Sequence, residues 1–116
     1  MPSLASNTKK VGRVTIFTFK QGRKFISVCL ELDIIKEGLN VVELNKEMLE
    51  AVMGHVESVC KGGLSDDLLN RPAPAAYWKK YWAFVDGLNK KRDRATKSKT
   101  QIGTINVLPI AELCAI

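Results

Sequence analysis

A single histidine and three widely spaced cysteines leave little material for metal or nucleophilic chemistry. Cys29, Cys60 and Cys114 form no CxxC pair and no Cys/His cluster, so the sequence predicts neither a zinc site nor a disulfide framework and reads all three as reduced thiols. His55 has Glu50 and Glu57 near it in sequence but no nucleophile at a productive spacing. The chain also lacks a Walker-type loop and a GxSxG elbow, which excludes the phosphate-cradling and esterase-like readings. The adjacent Asp66 and Asp67 read most simply as a polar loop or a helix start. No apolar run approaches the roughly 18–20 residues of a membrane span. The opening MPSLASNTKK lacks the apolar stretch of a secretory signal. The expectation is an intracellular, non-enzymatic protein with no membrane, cofactor or metal.

What is present is the composition of one small folded domain spanning 1–116: 46% hydrophobic and 26% charged residues. The formal charge of +6 suits a polyanionic partner, and its distribution says more than its total. Residues 1–30 carry six bases (Lys9, Lys10, Arg13, Lys20, Arg23, Lys24) and no acid. Residues 31–67 hold nine acids against Lys36, Lys46 and Lys61, and residues 68–116 return to nine bases against three acids. Such segregation suggests one face for a polyanion and another for something else.

Patterning predicts an α+β fold in which an antiparallel sheet packs on an amphipathic helix and a second helix follows. Arg13–Lys20 and Lys24–Leu32, rich in β-branched and aromatic residues, read as a hairpin turning at Gln21-Gly22. Leu39–Leu44 reads as a third strand, and Asn45 as the N-cap of a helix over 46–60 ended by Gly62-Gly63. Residues 75–91 form a second amphipathic pattern, with Trp78, Tyr81, Trp82, Val85 and Leu88 on one stripe, which suits core or subunit packing better than base stacking. Residues 1–10 read as a flexible N-terminus. The stretch 92–101 reads as a basic linker, either merely solvated or an arm whose Lys97 and Lys99 neutralise phosphates. Ile102–Ile110 is a candidate fourth strand.

Sorting the hairpin by residue parity places Val14, Ile16, Ile26, Val28, Leu30 and Leu32 on one face, the expected core. The other face takes Arg13, Thr15, Phe17, Phe19, Phe25, Ser27, Cys29 and Glu31, including three of the four phenylalanines. Two readings of that aromatic face compete, with a dimer interface as a further one. Either the helix 75–91 covers it, or Phe17, Phe19 and Phe25 form a platform for unpaired bases amid Lys9, Lys10, Arg13, Lys20, Arg23 and Lys24. Duplex DNA fits poorly, because no basic recognition helix is visible.

The order of strands, turn and helix resembles the single-stranded-DNA-binding domain of transcriptional positive cofactor four and its bacteriophage relatives. Phe19-Lys20-Gln21-Gly22-Arg23-Lys24, followed by the strand Phe25–Leu32, is similar to that family's Phe-Lys-Gly-Lys turn and third strand. Val41–Met48 looks like its fourth strand entering its helix. The resemblance covers roughly residues 10–60. It implies a four-stranded curved sheet, DNA contacts from Phe19, Lys20, Arg23 and Lys24, and a homodimer paired through the helix by Met48, Val52, Met53 and Val56. It also implies a place in replication, recombination or transcription. The leading expectation is sequence-tolerant single-stranded DNA binding. An interaction or host-directed inhibitory protein with its aromatic face in an interface is one alternative, and RNA binding is another.

Overall fold

The computed structural model describes residues 7–94 and 103–114. Arg13–Gln21 forms β1 and Lys24–Cys29 forms β2, paired antiparallel from Gln21↔Lys24 to Ile16↔Cys29. Gly22 and Arg23 make the turn, one residue later than expected. Gly22 alone has a positive φ there, +66°, as the first central position of a type II′ turn requires. β2 ends at Cys29 rather than Leu32. The Leu32 and Asp33 amides both donate to the Cys29 carbonyl, and Asp33 takes the left-handed conformation (φ 55°) that reverses the chain.

The third strand and first helix depart from the sequence expectation. β3 is Ile34–Gly38, and α1 already begins at Val41 and runs to Lys61. The N-cap is Asn40, whose Oδ1 accepts from the Val42 and Glu43 amides at 2.9 and 3.1 Å. The β-propensity of Val41-Val42 loses to this cap and to the burial of Leu44, which opens the helical stripe Leu44, Met48, Val52, Val56, Val59. Asn45, the cap expected from the sequence, lies inside the helix and accepts from Thr18 Oγ1 at 3.0 Å. The C-terminal end does fall at Gly62, with Gly63 at φ +63°.

After a short 3-10 turn at Asp66–Leu69, α2 spans Ala75–Arg94, three residues further into the expected linker; Lys97 and Lys99 lie outside the described residues. β4, Gly103–Pro109, pairs antiparallel with β1 from Phe19↔Gly103 to Arg13↔Pro109. The late segment therefore does complete the sheet, whose order is β3-β2-β1-β4. The short α3, Ile110–Cys114, packs Ile110 and Leu113 into the core under α1.

This docking joins Cys60 and Cys114 as a disulfide, their Cα atoms 5.8 Å apart, within the usual span of such bonds. The expectation of three reduced thiols fails for this pair. A separation of 54 residues carries no sequence signature, and only the packing of α3 on α1 brings the two together. Cys29 is a free, buried thiol.

Residues 1–6 of the expected flexible N-terminus lie outside the described residues, and at Asn7, which is buried, the expectation is corrected. Its Nδ2 donates to the Arg13 and Leu69 carbonyls, its Oδ1 accepts from the Arg13 amide, and its main chain exchanges two bonds with the Asn70 side chain.

Candidate nucleic-acid interface

The hairpin register decides where the aromatic residues point. A two-residue loop pairs each even-numbered residue of β1 with an odd-numbered one of β2, so parity changes sides across the turn. Phe17 and Phe19 therefore share a face with Val28 and Ile26, their partners, and with Leu30. Val14 and Ile16 share the opposite face with Cys29 and pack on α1. This corrects the expected all-aliphatic core face. Phe25 pairs with Lys20 on the α1 side of the sheet, away from the other two phenylalanines.

Phe17 and Phe19 are 1% and 6% exposed. α2 lies over them: Phe17 meets Tyr81 and Phe84 at ring separations of 5.7 and 5.4 Å, and Phe19 meets Tyr77 at 6.5 Å. Lys80 Nζ stands 5.1 Å from the centre of the Phe19 ring. The platform of Phe17, Phe19 and Phe25 thus does not exist as an open surface. Two of its rings belong to a second hydrophobic core, and the third faces the other way. The same burial removes the reading in which an outside partner covers this face, because the chain covers it itself.

The helix stripe is also occupied. Met48, Val52 and Val56 have no exposed surface, and Met53 packs against the same cluster. The four residues that the resemblance assigns to dimer pairing instead hold α1 to the sheet.

The basic residues have distinct fates. Arg13, Lys10, Lys20 and Arg23 are exposed. Lys9 pairs with Asp66 at 2.9 Å and Lys24 with Glu37 at 2.7 Å, and such partly exposed pairs contribute about 0–1 kcal/mol each. Lys20, Arg23 and Lys24 stay together at the hairpin tip, whereas Arg13 stands at the far end of β1.

There, between the start of β1 and α2, the surface opens into a cleft of about 360 Å³. Gly12, Arg13, Thr15 and Glu31 line one side, and Trp78, Tyr81 and Trp82 the other, with Asn7 beside them. Trp82 is 51% exposed and meets Tyr81 edge-on at 4.9 Å, and Tyr81 in turn meets Trp78 edge-on at 6.4 Å. Aromatic walls with a few polar groups are the usual make-up of a ligand cleft, and this volume lies at the lower end of the usual range. The helical spacing of the tryptophan stripe predicts packing. That holds for Trp78, which is buried, but not for Trp82.

Glu31 is the unexpected member. The Thr15 amide donates to its Oε1 at 2.5 Å and the Thr15 hydroxyl to its Oε2 at 2.8 Å. Burial pushes its carboxyl above the usual range, opposed by the Thr15 hydrogen bonds and, more weakly, by the charge of Arg13. A raised folded-state pKa means protonation favours the fold. The stabilisation Glu31 contributes is complete below about pH 4.5 and is lost as pH rises through the raised value. Glu31→Gln should abolish that component. The stability difference between variant and parent, followed by urea melts from pH 4 to 8, should shift in the variant's favour as pH rises. A difference independent of pH would contradict the assignment.

Two other titratable groups are engaged structurally. Burial, with Glu31 nearby, pushes the Cys29 thiol up to about 12, so it is protonated and unreactive at neutral pH. His55 Nε2 donates to the Leu68 carbonyl at 2.7 Å. Among the described residues no group of three or more His, Cys, Asp or Glu converges as a metal site, and no helix is long and apolar enough to cross a membrane.

Comparison with known proteins adds no relative: no family model, no curated protein and no solved structure matches this chain.

Proposed function

We propose that this protein binds single-stranded DNA at the cleft between α2 and the start of β1, rather than on the phenylalanine face. The observation that carries the reading is the half-exposed Trp82, set beside Tyr81 and facing Arg13 across one cleft, in a chain of net charge +6. Single-strand binders need a π-face for a base and cations along the backbone path, and both requirements meet here. Arg13 and Lys10 serve phosphates near the cleft. Lys20 and Arg23 extend the positive surface at the hairpin tip, where the resemblance to the positive-cofactor-four family also assigns DNA contacts. The helix stripe is buried within the chain, so it offers no surface for pairing two copies. Binding of this kind serves replication, recombination or transcription.

Trp82→Ala tests the site. An exposed ring contributes little to folding, so the thermal melt should hardly move. Affinity for a labelled oligothymidine, read by fluorescence anisotropy, should fall on the order of 5- to 100-fold, the equivalent of one lost stacking contact. Unchanged affinity in the folded variant would remove the cleft from the interface.

A further inference from the structure

β4 is an edge of the sheet, and among the described residues no strand pairs with its outer side. Two hydrogen bonds fix which of its groups face outward. The Leu30 amide donates to the Thr15 carbonyl and the Ile110 amide to the Gly12 carbonyl, so odd-numbered residues of β1 turn their main-chain groups to β2 and even-numbered ones to β4. Leu108, Asn106 and Thr104, opposite Val14, Ile16 and Thr18, therefore spend their main-chain groups on β1. The amides and carbonyls of Gly103, Ile105 and Val107, and the carbonyl of Pro109, point outward. Proline there costs the chain no ladder bond, as is usual on an edge. Natural sheets blunt such a row with charge or shortness. β3, the opposite edge, has five residues and carries Lys36 and Glu37, whereas β4 has seven residues and no charge. Val107 is 48% exposed.

We propose that β4 is a self-association edge, which pairs antiparallel with β4 of a second copy about a two-fold axis at Asn106. In that register Ile105 of each copy lies opposite Val107 of the other, and each of these pairs exchanges both of its main-chain bonds. The Gly103 amide donates to the second copy's Pro109 carbonyl. Ile105 and Val107 share the α2 face, being opposite Phe17 and Thr15 of β1, and β-branched cross-strand pairs there add to the ladder and cover Val107. A second copy is the occupant the strand itself specifies, because an uncharged strand meets itself without like-charge repulsion and the register is its own complement. Moving the axis to Ile105 would set Val107 against Gly103, and moving it to Val107 would set Ile105 against Pro109, so neither keeps the Ile–Val pairs. Seven residues a side make a small interface, of the weak and transient class. The inference does not depend on the single-strand reading.

Sedimentation velocity of the full chain, run from low to high micromolar concentration at a salt level that screens its +6 charge, should show a monomer passing into a dimer. Asn106→Lys, at an exposed position, sets two lysines directly across the axis and should move the dimer midpoint about fivefold toward higher concentration, the effect of one like-charge cross-strand pair. Asn106→Cys tests the register. Opposed residues of a non-hydrogen-bonded pair lie about 4.5 Å apart, within disulfide reach, so diamide, accepting the two thiol hydrogens, should join two copies. Val107→Cys, which the same register sets about 7–8 Å from its counterpart, should cross-link far more slowly. Cys60 and Cys114 are already joined and Cys29 is buried, so the introduced thiol is the one that reacts. A parent chain that stays monomeric at high micromolar concentration would overturn the proposal and leave the edge to a strand of another protein. An unmoved midpoint in folded Asn106→Lys, or equal cross-linking of the two cysteine variants, would overturn it as well.

Discussion

Phe17→Ala should lower the unfolding free energy by about 3–5 kcal/mol, the cost of emptying a large aromatic site in a packed core. The Phe17 ring is fully enclosed and lies within 5.0–5.7 Å of Phe19, Phe84 and Tyr81. Each such aromatic pair adds roughly 0.5–1.5 kcal/mol beyond area burial. Denaturant melts of the variant should show the loss directly, and for a domain this small it approaches the whole stability margin. A loss below about 1 kcal/mol, with single-strand affinity reduced, would instead mean that α2 leaves the sheet and that Phe17 is a stacking surface. The two accounts of this face make opposite predictions for one substitution.

Asn7→Ala should cost about 2–4 kcal/mol for a different reason. The side chain bridges the start of β1 and the end of the 3-10 turn: Nδ2 donates to the Arg13 and Leu69 carbonyls, and Oδ1 accepts from the Arg13 amide. Alanine leaves these main-chain groups without their partner, and each buried orphan costs about 1–3 kcal/mol. Asn70→Ala attacks the same junction by removing the bonds to the Asn7 main chain, so the double variant should lose less than the sum of the singles. Gly12→Ala is a related probe. Its φ of +119° is strained for any side chain, and a methyl there would run into Asn7. Additive losses for Asn7 and Asn70 in urea melts would show that they do not act as a unit.

Much of the scaffold was legible because local signals agreed with tertiary ones. The hairpin followed from its β-branched and aromatic runs, the end of α1 from Gly62-Gly63, and the second helix from its aromatic period. The fourth strand was legible as Ile102–Ile110, and its place beside β1 came from the structure. The errors have physical causes. Asn40 and Asn45 are equally good caps in isolation, and only the burial of Leu44 on the helical stripe selects the first.

The face assignment failed on one residue of turn length. A one-residue difference at the turn exchanges the inward and outward sides of the second strand relative to the first, so Val28 lies with Phe17 and not with Val14. The cleft was legible only in pieces. Arg13, Glu31 and Trp82 are far apart in sequence, and the feature that joins them is the line α2 takes across the sheet, which no local pattern encodes. The Cys60–Cys114 pair was hidden in the same way.

A chain that holds a single strand by base stacking together with phosphate contacts should prefer it to a duplex. Anisotropy of one labelled oligothymidine, titrated at two salt concentrations beside a duplex of matched length, tests it most directly. Binding should favour the single strand and weaken as salt rises, in proportion to the phosphates neutralised. No binding at low salt, or a duplex bound as tightly as the single strand, would contradict it.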